Sequence, residues 1–294
     1  LLESVLARYV STTVALMLGV SCLTLLFGVA TAWIVAAYQF RFSKLLDMVI
    51  LLPIACPAYL VAYAYTDFFE YAGPVQGALR DMMGWKTARD YYFPEIRSLG
   101  GAIFVLSSVL YPYVYLLSRT AFRHIPASFY EVAAISNRNV FWNICLPLAR
   151  PAIVAGLALV CMEVVSDFGT VEFFSLETLT LGIFNVWIGM NNITAAAQIS
   201  TFTFIFIILL LLTEMYSRSR KRFNDTSRKQ TVAKPKIVTG FKAVLLYVVC
   251  LTPVIFGFVT PAAILLWNVV KSADMAAFLA VADVLKNSLF IATL

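Results

Sequence analysis

Residues Val10–Ala37 read VSTTVALMLGVSCLTLLFGVATAWIVAA, an unbroken run with no Asp, Glu, Lys or Arg and with Gly19 and Gly28 inside it. A helix needs about 20 apolar residues to cross the hydrocarbon core of a bilayer. This run is long enough, and the chain repeats the pattern on its C-terminal side. Leu45–Tyr65 is a second predicted span, kinked at Pro53 and Pro57, because a proline inside a helix removes an amide donor. Leu99–Leu117, with Pro112 near its end, is a third; Ala152–Val165 begins a fourth; Gln198–Met215 is a fifth. Ala243–Val269, broken by Pro253 and Pro261, is a sixth, and Asn287–Leu294 starts a seventh. Between the fourth and fifth, Asp167, Glu172 and Glu177 interrupt Ser166–Ala197, although Leu179–Met190 is apolar again. That stretch reads as re-entrant or interfacial, a backbone tolerated only where protein or a water-filled cavity surrounds it. The predicted fold class is all-α, a polytopic transmembrane helical bundle.

Composition agrees. Of 294 residues 61% are hydrophobic and 13% charged, with mean hydropathy +0.85. A soluble domain carries roughly 25% charged residues. The net charge of +6 comes from bases gathered in short connectors, so it points to membrane topology and not to nucleic acid. Tyr38–Lys44 holds Arg41 and Lys44; Ser118–Arg150 holds Arg119, Arg123, Arg138 and Arg150 against Glu131; Ser217–Lys242 holds nine Lys/Arg against Asp225. These three connectors alternate so as to share one side, which the positive-inside rule makes cytoplasmic. Thr66–Ser98 balances its charges and falls outside. Cys22, Cys56, Cys145, Cys161 and Cys250 lack metal-ligand spacing and read as small buried hydrophobes. His124, the sole histidine, reads as interfacial. No cofactor or metal is expected on this chain, and with no phosphate-binding glycine loop any ATP would be hydrolysed by another subunit.

Two regions carry candidate function. In the loop about 118–151, Ser128-Phe129-Tyr130-Glu131 fits a capping box, with a short helix starting near Phe129 after Pro126. A small-residue helix held there suits docking into a groove on another protein. In the fourth span Glu163 and Asp167 stand four apart, which on a helix places them on one face. Acids inside a membrane usually face a cavity or a partner, so both are candidates for a translocation pathway.

Ile125-Pro126, Tyr130-Glu131-Val132-Ala133-Ala134 and Leu146-Pro147-Leu148-Ala149-Arg150-Pro151 resemble the EAA loop of binding-protein-dependent ABC importer permeases. Asp167-Phe168-Gly169-Thr170-Val171, Thr178–Ile183, Leu52-Pro53, Ala62–Asp67 and Tyr71–Gln76 are similar to the ferric-iron branch. The resemblance implies an inner-membrane permease of bacterial type, partnered by ABC ATPase subunits, a substrate-binding protein and a second permease module. It assigns Ser128, Tyr130, Glu131, Ala133, Ala134, Leu146 and Pro147 to the ATPase-coupling loop. Polyamine, thiamine or phosphonate are alternative cargoes to ferric iron. Tyr63, Tyr65, Asp67 and Glu163 offer hard oxygen donors of the kind Fe³⁺ favours, and join Asp167 as pathway candidates. The chain departs from the pattern at Ala134–Arg138, which carries no glycine and leaves the interval before Leu146-Pro147 about three residues short, close to one helical turn. By the same resemblance residues 1–242 read as a first module without its leading span, and 243–294 as the start of a second. An ion-coupled secondary transporter using Glu163 and Asp167, or a non-functional permease fragment, are the competing readings.

Overall fold

The computed structural model describes residues 5–135, 139–219, 235–271 and 275–293. Its helices are α1 (Val5–Ala37), α2 (Ser43–Val49), α3 (Ala58–Phe69), α4 (Pro74–Met83), α5 (Leu99–Arg123), α6 (Ala127–Ile135) and α7 (Leu146–Ser166). There follow α8 (Gly169–Phe173), α9 (Leu179–Phe184), α10 (Ile193–Ser219), α11 (Phe241–Val254), α12 (Thr260–Lys271) and α13 (Met275–Thr293). Among the described residues the sheet content is one two-residue parallel pair, β1 (Tyr38–Gln39) with β2 (Lys236–Ile237). Among the described residues four helical stretches are long and apolar enough to cross a membrane: Leu6–Ala37, Leu99–Arg123, Phe141–Ser166 and Phe241–Lys271. The all-α, multi-span class is therefore as the apolar runs predict.

Helix α5 is the centre of the bundle. Its N-terminus is set by Ser98, whose hydroxyl accepts from the Gly101 amide at 3.2 Å and so satisfies one of the unpaired donors of the first turn. α1 packs chiefly against α5, and α7 packs against both. Two glycines allow the approach. A Cβ at Gly28 of α1 would stand 2.7 Å from Val114 Cβ, and one at Gly156 of α7 would stand 2.8 Å from Val114 Cα. Val114 is fully buried between them. Small residues at crossings let helix backbones close in where lipid supplies no hydrophobic drive for association.

The second predicted span is not one kinked helix. Ser43–Ala55 and Ala58–Met83 meet at 84°, joined by the 3-10 turn Leu52–Ala55. The cause lies in the prolines. Ile50 O would take a donor from residue 53, which is Pro53, or from Ile54, whose amide is given to Leu51 O instead. The hydroxyl of buried Tyr111 on α5 donates to Ile50 O at 2.7 Å and closes the gap. The sixth predicted span, by contrast, is continuous. Pro253 lies inside α11 and Pro261 opens α12, with a π turn, Ile255–Val259, between them. A second π turn, Phe141–Cys145, stands immediately before α7 and its Pro147. In both places the widened turn accommodates a ring that would clash with the carbonyl four residues back.

Other expectations shift in their bounds. α5 continues to Arg123, six residues past the predicted end, so the connector begins later. α4 forms within the predicted polar outer stretch. Ser166–Ala197 contains the short helices α8 and α9 and a third π turn, Asn185–Gly189. The seventh run belongs to the longer α13. The five cysteines are free, but only Cys145 and Cys250 are buried; Cys22 is exposed.

Two outcomes follow for stability in detergent or nanodiscs. Gly156→Ala pushes a methyl against α5 backbone and should destabilise by about 1–3 kcal/mol, the range for overpacking, whereas Gly100→Ala, whose Cβ meets only Ser98 Oγ at 3.8 Å, should leave the thermal midpoint unchanged. Tyr111→Phe orphans the Ile50 carbonyl and should lower stability by about 1–3 kcal/mol, read as a fall in the same midpoint.

Candidate functional site

The coupling loop occupies one end of the bundle. α6 begins at Ala127, so Ser128 is its second residue and not the cap that the sequence suggests; the capping box with Glu131 is not formed because its N-cap residue is already helical. Ser128, Phe129, Glu131 and Ile135 are exposed, while Ala133 is buried and Tyr130 half-buried. Residues 128, 131 and 135 repeat at helical spacing, so the outward side of α6 mixes a hydroxyl, a carboxylate and a large apolar residue. Tyr130 accepts from Cys145 Sγ at 3.7 Å, and burial pushes its phenol above the ordinary range. Ala134 lies within α6, but its side chain and residues 136–138, where the shortened interval falls, lie outside the described residues. Leu146 and Pro147 open α7 directly after the π turn. The loop is anchored by rings: Trp33 of α1 lies 5.5 Å from Phe122 of α5 and 5.0 Å from Phe141 of the π turn.

Beside this end lies a cluster that the charge count did not single out. Asp47 on α2 accepts from Tyr115 and Arg119 of α5, and from Arg123 at 3.4 Å. The Asp47 and Arg119 side chains are 16% and 21% exposed, so removing the acid would leave partly buried guanidinium charge unpaired. Arg119 and Arg123 are thus not free topology markers. The signal in the sequence was an acid within an otherwise apolar segment, Lys44-Leu45-Leu46-Asp47-Met48.

Toward the other end, the five pathway candidates separate into three settings. Glu163 lies in the last turn of α7 and Asp167 just past its end, and both line one cavity of about 200 Å³ with Cys56, Pro57, Leu106 and Tyr113. Among the described residues no Lys, Arg or His lines it. Tyr113 donates to Glu163 Oε1 at 3.4 Å, and Glu163 is exposed on the surface of the chain. Asp167 has local work as well: it accepts from Thr170 Oγ1 at 2.9 Å and from the Val171 amide at 3.0 Å, fixing the first turn of α8. Tyr63 and Asp67 line a different cavity, about 1020 Å³, between α3 and α12. Tyr65 lines neither. It is buried, its hydroxyl donates to Phe256 O at 2.6 Å, and its ring packs on Phe69 and Phe104; the structure gives it a packing role in place of the predicted ligand role. Glu177 pairs with Arg8 at 2.5 Å on the surface. Among the described residues no three His, Cys, Asp or Glu side chains come together as a metal site.

Comparison with known proteins identifies the family. Residues 25–223, more than half the chain, match the family described as binding-protein-dependent transport system inner membrane component. A permease protein of Salmonella choleraesuis, provisionally assigned to 2-aminoethylphosphonate transport, is 28% identical over 60% of this chain and 63% of its own length. An Fe(3+)-transport system permease protein of Haemophilus influenzae is 24% identical over 65% of this chain and 34% of its own. The molybdenum transport system permease protein of Escherichia coli is 28% identical over 55% of this chain and 71% of its own. The chain therefore spans less than two thirds of the length of the first two. The matched region runs from the middle of α1 through α10, and so contains the α5 hub, the α6 loop and the Glu163 cavity: this chain belongs to the binding-protein-dependent transport system inner membrane components, the multi-pass permeases of ABC transport systems.

Proposed function

We propose that this chain forms the translocation pathway of an ATP-driven importer that takes ferric iron from an external binding protein, with a separate ATPase pair docking on α6. The observation that carries a cationic cargo is the Glu163 cavity. Two carboxylates line it and no Lys, Arg or His does. Such a site attracts a cation and repels an oxyanion. The iron relative supports the same reading, at low identity. Iron here is cargo that passes, so a closed cage of ligands is not required. The exposed Ser128, Phe129, Glu131 and Ile135 of α6 supply the docking side, in the manner of a helix laid into a groove. An ion-coupled carrier would use the same acids, but it has no need of a binding-protein-dependent family framework. Residues 1–242 are read as a first permease module and 243–294 as the start of a second; α11 packs back on α1 and α5.

Two experiments test the reading. Glu163→Gln should lower iron uptake at least about tenfold, since a lost contact to a charged group is worth about 1.5–3 kcal/mol. Glu177→Gln, which removes only a surface pair, should leave uptake near wild type; equal uptake by the two variants would sink the pathway assignment. Co-purification with the candidate ATPase, before and after inserting three residues including a Gly between Ala134 and Asn137, tests coupling. Binding without the insertion means that the short loop docks; binding only with it means a permease uncoupled by its loop; binding in neither case removes the importer reading.

A further inference from the structure

Four side chains of α5 reach the same short segment of chain. Tyr111 donates to Ile50 O at 2.7 Å, Tyr115 and Arg119 donate to the Asp47 carboxylate, and Arg123 donates to it at 3.4 Å. The four stand at steps of four residues, so each follows the last by a little more than one turn and about 40° around the helix. Tyr111 and Tyr115 are fully buried, and the Asp47 side chain is 16% exposed. The C-terminal half of α5 is thereby fastened, along one winding stripe, to residues 47–50, where α2 gives way to the 3-10 turn.

Each side of this ladder leads to a functional element. Arg123 is the last residue of α5, and α6 begins at Ala127. The step between them is itself held, since His124 Nδ1 lies 2.7 Å from Thr120 O and Ile125 is buried. On the other side, residues 47–50 run through the turn Leu52–Ala55 to Cys56 and Pro57, which line the Glu163 cavity. Asp47 is the charged rung. Its Oδ2 takes both guanidinium groups and its Oδ1 takes the Tyr115 phenol. Hydrogen bonds between ionised partners are stronger than neutral ones, and a partly buried pair is screened little by salt.

We propose that Asp47 is a positioning residue for α6: by clamping the end of α5 to α2, it makes α6 and the broken helix at the Glu163 cavity move as one linked unit. A shift of α6 that tilts the end of α5 carries Asp47 with it, and the short path through Leu52–Ala55 hands the displacement to Cys56 and Pro57. Removal of the carboxylate leaves the Tyr111 bond to Ile50 O in place but releases the grip on the two turns nearest α6. The role in transport rests on the importer reading. The clamp itself does not, and it is measured on the chain alone.

Spin labels are placed at Met48 of α2 and Ile135 of α6, both exposed. Attachment through a ketone-bearing unnatural amino acid leaves the native cysteines in place. Double electron–electron resonance of the chain in nanodiscs then reads the separation. Asp47→Asn should broaden or split the wild-type distance distribution. Asp47→Ala combined with Arg119→Leu removes acid and base together, which spares the fold the cost of a partly buried charge stripped of its partner, and should broaden the distribution in the same way. An unchanged distribution in these variants overturns the clamp. Transmission is read at native Cys56, as the rate of maleimide labelling resolved by peptide mass. Docking of the candidate ATPase should change that rate in the wild type by about fivefold or more, the lower end for linked sites, and in Asp47→Asn by less than about twofold, with the ATPase still bound. A wild-type rate that docking leaves unchanged, or an equal response in Asp47→Asn, overturns the transmission. An ATPase that binds neither protein overturns the importer reading and with it the role in transport, and the distances still decide the clamp.

Discussion

A proline inside a membrane helix leaves a backbone carbonyl without its donor, and in hydrocarbon no water can replace it. The architecture of this chain is organised around that debt. Pro53 orphans Ile50 O, and Tyr111 fills it; Pro261 orphans Phe256 O in the π register, and Tyr65 fills it. Both tyrosines are buried. Each can be, because a phenol puts an apolar body into the core while its hydroxyl reaches a fixed acceptor. The broken second span and the register shift between α11 and α12 thus have the same cause and the same remedy.

The segment Tyr111-Pro112-Tyr113-Val114-Tyr115 of α5 concentrates these solutions. Tyr111 holds the 3-10 break, Tyr113 meets Glu163 on α7, Tyr115 meets Asp47 on α2, and Val114 fills the space that Gly28 and Gly156 leave. Successive residues on a helix point about 100° apart, as 3.6 residues per turn requires, so five positions address three neighbours. α5 also runs directly through His124–Pro126 into α6. Displacement of α6 therefore acts on the turn that carries Arg119 and Arg123, and through Asp47 on the broken helix whose Pro57 lines the Glu163 cavity. These contacts connect α6 at one end of the bundle to the Glu163 cavity at the other.

The spans were legible because lipid demands length and apolarity, and both are local properties of sequence. Val10–Ala37 and Leu99–Leu117 lie wholly within α1 and α5 for that reason. Helical spacing put Glu163 and Asp167 on one face, but α7 ends at Ser166, so Asp167 lines the same cavity from beyond the helix. What escaped was whatever depended on a partner far along the chain. Pro53 and Pro57 announce a bend, but its size, 84°, is not written in their spacing. Tyr65 offers the same phenol as Tyr63, yet one is committed to a carbonyl 191 residues away and the other faces a cavity. Asp47 looked like a minor interruption of an apolar run, and only the fold brings two arginines to it. Ser128 shows the reverse failure: a good local capping pattern, overridden because the helix starts a residue earlier.

The division between what is shared and what is particular follows from the same physics. Relatives named for phosphonate, molybdenum and Fe(3+) transport all align with this chain at 24–28% identity. A common framework can serve them because helix crossings need small residues and proline breaks need donors, whatever passes between the helices. Cargo is decided at far fewer positions. In this chain the described lining of the cavity around Glu163 holds two carboxylates and no base. An oxyanion entering it would meet two carboxylates with no counter-charge, in a medium that screens weakly; a cation would meet ligands. The family fixes the framework; the two acids at the C-terminal end of α7 are the positions at which cargo selection is proposed to act.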